Sequence, residues 1–93
     1  MPWVYILKGK FKKKKQTRYY IGYALKSVEN RLEAHRGEKA GGALFTSFMK
    51  DLGIVYREYC TTQKQAMRRE IELKKKFKKM TRQEKESFIE ANQ

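Results

Sequence analysis

Apolar positions along the chain fall into three short alternating runs and three helical stripes. Trp3, Tyr5 and Leu7 alternate with Val4 and Ile6. Strand parity sends the two sets to opposite faces, and because both sets are apolar the strand is expected to be central in its sheet. The run Arg18-Tyr19-Tyr20-Ile21-Gly22-Tyr23-Ala24 reads as a second strand, with Gly22 marking a bulge or a close approach by another group. Residues 8–18 between the two are too charged for a core and read as a hairpin loop. Ile54 to Cys60 alternates again and reads as a third strand.

Ser27 is a suitable N-cap for a helix over about Val28–Arg36, with Val28, Leu32 and Ala34 as its apolar stripe and Gly37 as its stop. Thr62 and Gln65 have capping-box spacing, so a helix is expected from there to about Lys78, with Ala66, Met67, Ile71, Leu73 and Phe77 turned inward. Thr81 and Glu84 repeat the box and open a short closing helix that buries Phe88 and Ile89. Residues 37–53 hold four of the six glycines and read mostly as loop, with a helical turn over Leu44 to Met49. The order predicts an α+β domain over residues 1–93, its core at about 2–80 and its closing helix at about 82–91.

Composition narrows the function. Ninety-three residues allow one small domain, and the formal net charge is +13. The excess lies in two blocks: residues 8–18 carry seven cations and no carboxylate, and residues 64–82 carry nine against two. Clustered positive charge is the footprint of a polyanion partner, and it predicts salt-dependent binding without predicting sequence readout or catalysis. A solvated basic loop and a membrane-surface patch are the competing readings of Lys12, Lys13, Lys14 and Lys15. No apolar run approaches a membrane span, and the first residues lack the order of a signal peptide, so a cytoplasmic or nucleoid-associated, non-secreted protein is expected. One cysteine, Cys60, and one histidine, His35, supply neither a disulfide nor a Cys/His zinc site.

A few residues sit where packing alone would not put them. Ala66, Glu70, Leu73 and Phe77 are spaced four, three and four, so Glu70 interrupts an apolar helix face. A carboxylate there needs a compensating cation or hydrogen bonds. A salt bridge to a neighbouring Lys or Arg is the ordinary explanation, and a metal ligand or catalytic acid is the functional one. Arg31 and His35, four apart, share a helix face. Taken alone such a pair is ordinary surface, as Tyr5 and Tyr20 on neighbouring strands are ordinary packing. There is no P-loop, nucleophile elbow or Cys-x-x-Cys.

Taken together these positions resemble the GIY-YIG nuclease superfamily, and more narrowly its small, single-domain bacterial group. Trp3-Val4-Tyr5 precedes Tyr20-Ile21-Gly22, Arg31-Leu32-Glu33-Ala34-His35 follows nine residues later, and Ala66-Met67-Arg68-Arg69-Glu70 follows that. The closing segment from Lys79 to Ile89 is similar too, so the resemblance covers about residues 2 to 90. It implies a small three-stranded antiparallel sheet flanked by helices. It also implies that Glu70 holds a single Mg²⁺ (or Mn²⁺) and that Tyr5 helps activate the attacking water. Tyr20 would then line the site at the scissile phosphate, Arg31 stabilise charge on that phosphate, and His35 accept or relay a proton, with Gly22 as the motif glycine. The first motif carries Trp3 in place of its Gly, and the Asn that many members have after the metal Glu has no counterpart except Asn92 at the tail.

The expectation is therefore a Mg²⁺-dependent endonuclease on DNA, with RNA left open, of weak sequence specificity or directed by substrate structure, aided by a targeting protein partner and monomeric or weakly dimeric. Lys12, Lys13, Lys14, Lys15, Arg18, Arg68, Arg69 and Lys74 are the candidate nucleic-acid contacts. The alternatives are a binding module that keeps the fold with catalysis weakened or lost, and a structural or protein-interaction role.

Overall fold

The computed structural model describes residues 2–13, 16–35 and 49–92. Three strands form one antiparallel sheet: β1 over Trp3–Phe11, β2 over Thr17–Ala24 and β3 over Met49–Tyr59, in the order β2-β1-β3. β1 is central, as its two apolar faces require. Val4 and Ile6 enter one core with Ile21, Ala66, Leu73, Phe77 and Ile89, while Tyr5 and Leu7 enter the other with Val28, Met49 and Leu52. Helix α1 (Val28–His35) covers the second face. Helices α2 (Gln63–Lys78) and α3 (Arg82–Ala91) cover the first.

The caps form where the sequence puts them. The Ser27 hydroxyl accepts from the Asn30 amide at 3.1 Å, Thr62 accepts from the Gln65 amide, and Thr81 and Glu84 close a reciprocal capping box. In α2 the buried stripe is narrower than expected. Ala66, Leu73 and Phe77 are inside, but Met67 and Ile71 are 44% and 52% exposed. A helix on one sheet face buries a single stripe, and these two lie beside it.

Two loop expectations are corrected. Lys8, Gly9, Lys10 and Phe11 belong to β1 and pair on to Met49, because Phe11 and Met49 give the strand end its own apolar contacts. Likewise Met49–Gly53 is strand, not loop. Its apolar pair Met49 and Leu52 is three apart because a bulge opposite Lys8–Lys10 inserts Asp51 in the left-handed region (φ 57°), which breaks the two-residue alternation. The turn expected at Leu44, the helix stop at Gly37, and Lys14 and Lys15 lie outside the described residues.

Candidate active site

A cleft of about 550 Å³ lies along β2, the edge strand, where α1 and α2 reach past the sheet from opposite faces. Tyr5 from β1, Tyr20 and Gly22 from β2, Arg31 from α1 and Glu70 from α2 all line it. Tyr5 forms its floor and is fully buried. Gly22 pairs directly with Tyr5 across the ladder, in unbroken register, so it marks a close approach and not a bulge. A Cβ at position 22 would stand 2.7 Å from the Tyr5 hydroxyl oxygen and 3.1 Å from the Tyr20 ring. Only glycine leaves both phenols their places.

His35 is not in the cleft wall. It is 3% exposed, behind Tyr5, with Nε2 2.8 Å from the Tyr5 hydroxyl and its ring 4.6 Å from that of Tyr20. The expected surface pair with Arg31 is therefore corrected for His35. Ala34 and His35 end α1 against the sheet, so the helix turns this end inward. Burial, reinforced by the Arg31 cation, lowers the imidazole pKa to about 4, so the ring is neutral at physiological pH. Burial also raises the Tyr5 phenol to about 12, opposed by a hydrogen bond from Arg31 and raised further by Tyr20 and Glu70. With Arg31 donating to the Tyr5 oxygen, we assign the phenol proton to a bond toward His35 Nε2, the ring proton then residing on Nδ1. The Arg31 Nε is buried with no partner among the described residues, so a donor of a residue that lines the cleft goes unpaired.

Glu70 is partly buried, its side chain 19% exposed, and one carboxylate oxygen receives a 3.3 Å bond from Lys74. The ordinary explanation of Glu70, a salt bridge to a nearby lysine, is thus realised inside the cleft. Among the described residues no group of three acidic, His or Cys side chains could hold a metal ion. The oxygen donors that line the cleft include the Glu70 carboxylate and the side chains of Tyr5, Tyr20, Ser27 and Asn30, with Arg31 and Lys26 as cations on the same wall. That donor set suits a hard divalent ion that keeps most of its waters.

The candidate contact residues divide. Lys12, Lys13, Arg18 and Arg68 are exposed, with Arg18 stacked 5.1 Å over the Phe11 ring. Lys74 flanks Glu70. Arg69 is corrected. One position before Glu70, it points about 100° round the helix, where Glu58 of β3 accepts two bonds from Nε at 3.1 and 2.9 Å and Glu72 accepts one from Nη1. Its guanidinium is engaged by carboxylates and holds α2 to β3. Asn92 bonds the Phe88 carbonyl at the end of α3 and takes no part in the cleft. Lys26 and Asn30, which the sequence did not single out, line the cleft at the start of α1. Their signal was their place beside the Ser27 cap, one turn before Arg31.

No helix among the described residues is long and apolar enough to cross a membrane. The family model for the GIY-YIG catalytic domain matches residues 1–84 of the chain. No curated protein and no solved structure matches it.

Proposed function

Because the chain belongs to the GIY-YIG family, a family of nucleases acting on nucleic acid, we propose that it is a metal-dependent endonuclease of the small single-domain group. It hydrolyses phosphodiester bonds in DNA, with weak sequence specificity or direction by substrate structure. The observation that carries the reading is the convergence of Tyr5, Tyr20, Arg31 and Glu70 on one cleft from two strands and two helices. Glu70 would hold a single Mg²⁺ or Mn²⁺, which supplies Lewis-acid help to the leaving oxygen when bound.

The residues themselves do the following. The arriving phosphate accepts from the Arg31 guanidinium, which lines the cleft, and draws it off the Tyr5 hydroxyl, a shift that gives the buried Nε a chance to pair. Tyr20 borders the phosphate on the open side. At neutral pH Tyr5 is a phenol, so it takes a proton from the attacking water only while passing its own to His35 Nε2. His35 thus acts behind Tyr5 as the final acceptor, and the negative charge of the bound phosphate offsets the cost of forming an imidazolium there. Lys26 and the exposed cations of the β1–β2 turn hold the polyanion. One site makes one cut, so a monomer or weak dimer nicks duplex DNA before it severs it, and a partner protein supplies any targeting.

The second reading, a binding module with catalysis weakened or lost, is favoured by the Lys74 contact that already occupies the Glu70 carboxylate. Supercoiled plasmid and branched DNA incubated with Mg²⁺ at low salt decide between them. The nuclease reading expects nicking that EDTA and Glu70→Ala abolish. Salt-dependent binding without nicking in wild type selects the module.

A further inference from the structure

The cleft continues past Tyr20 into concavities that the chemistry above does not use. A depression of about 340 Å³ is lined by Tyr19, Tyr20, Lys74, Phe77, Lys78 and Lys85. It shares Tyr19 and Lys85 with a larger one of about 660 Å³, between the turn end of the β1–β2 hairpin and the start of α3, where Arg18 and Arg82 join. Tyr20 belongs to both the cleft and the smaller depression, so the three are neighbours along β2. Five cations line the extension and no carboxylate does. Lys78 and Lys85 make no ion pair among the described residues. Lys85 instead lies over the Tyr19 and Phe77 rings at 6.0 and 5.9 Å. The Tyr19 hydroxyl is buried without a partner among the described residues, near Glu86 and Arg82.

We propose that this groove is a docking track for one strand of DNA leaving the cleft. The proposal rests on the nuclease reading and deepens it. A cation row follows a phosphate backbone, and the part-exposed rings of Tyr19 and Tyr20 among these cations offer apolar walls to sugars and bases, the combination that binds single strands. A single strand suits this surface better than a duplex, because only unstacked bases can lie against its rings. Lys74 stands at the junction, next to Glu70 on one side and the track on the other. The protein therefore favours DNA with an unpaired strand beside the cut, which gives its structure-directed cleavage a physical basis.

The test is fluorescence anisotropy in EDTA, with a labelled single-stranded oligonucleotide and a blunt duplex of the same sequence. It compares wild type, the groove pair Lys78→Glu with Lys85→Glu, and a charge-matched pair on other exposed positions, Lys50→Glu with Lys64→Glu. The groove pair is expected to weaken single-strand binding about tenfold or more and to cut the salt slope by about 1.4, the loss of two phosphate contacts. Duplex binding should suffer less, and the control pair should bind the single strand within about threefold of wild type. Equal losses in both pairs, or no loss in the groove pair, overturn the proposal. Should the reversal pair fail to fold by circular dichroism, Lys78→Gln with Lys85→Gln is measured in its place against the same slope. Groove-dependent strand binding by a wild type that never nicks DNA upholds the track and rejects the nuclease reading. Nicking that coexists with an unaffected groove pair rejects the track alone.

Discussion

The hydroxyl of Tyr5 lies 2.8 Å from Nε2 of His35, and both groups are buried. The chain's only imidazole thus meets the cleft floor at the Tyr5 phenol. Its pKa falls from 6.5 to about 4 through burial and the Arg31 charge. The unfolded chain therefore holds more protons than the folded one between these values, and stability rises with pH across that window.

Wild-type stability is expected to be full above pH 6.5 and to fall by on the order of 3 kcal/mol as pH drops toward 4. His35→Gln keeps a bond to Tyr5 and cannot titrate, so its stability should be flatter across the same range. Urea denaturation at a series of pH values measures both. Parallel curves for the two proteins would refute a depressed His35.

Gly22→Ala puts a methyl 2.7 Å from the Tyr5 oxygen and 2.9 Å from its Cζ, both inside contact distance. Neither atom is the free end of a flexible chain, since Tyr5 is fully buried. The variant should lose about 1–3 kcal/mol of stability, and its cleavage rate should fall about 10²-fold as the phenol shifts. Thermal melting and single-turnover cleavage read the two effects, and a variant with wild-type cleavage would mean that Tyr5 placement is not critical.

Arg31→Lys keeps the charge but loses the planar fork that serves both Tyr5 and a phosphate. Cleavage should fall by about 10²-fold or more, with little change in melting temperature, because the arginine Nε is unsatisfied in the free protein. Rescue to near wild-type rate by lysine would show that only charge is needed at this position.

Arg69→Ala removes bonds to Glu58 and Glu72 in a half-exposed setting, with side-chain exposures of 32% and 31% for the Arg69–Glu58 pair. A stability loss of about 1 kcal/mol is expected, with cleavage and DNA affinity close to wild type. A loss of affinity matching that of Arg68→Ala would return Arg69 to the nucleic-acid surface.

These particulars mark what a reader of the sequence could and could not see. β1's two apolar faces announced a central strand, and Glu70's place on an apolar stripe announced a cleft carboxylate, because both are period signals carried by neighbouring residues. The burial of His35 depends on how the end of α1 meets the sheet, which no local pattern encodes. The first half of β3 was hidden because the bulge at Asp51 breaks the alternation that identifies strands. Arg69 read as a free cation because Glu58, eleven residues earlier, becomes its neighbour only when α2 packs on β3.

The central claim is that the Glu70 carboxylate holds one divalent ion in the cleft that Tyr5, Tyr20 and Arg31 share. A crystal soaked in Mn²⁺ tests it most directly, through the anomalous signal of the metal. The account predicts a single peak at about 2.0–2.2 Å from a Glu70 oxygen, otherwise surrounded by water, with the Lys74 contact broken. A peak elsewhere, or an occupied site that survives Glu70→Ala, would contradict it.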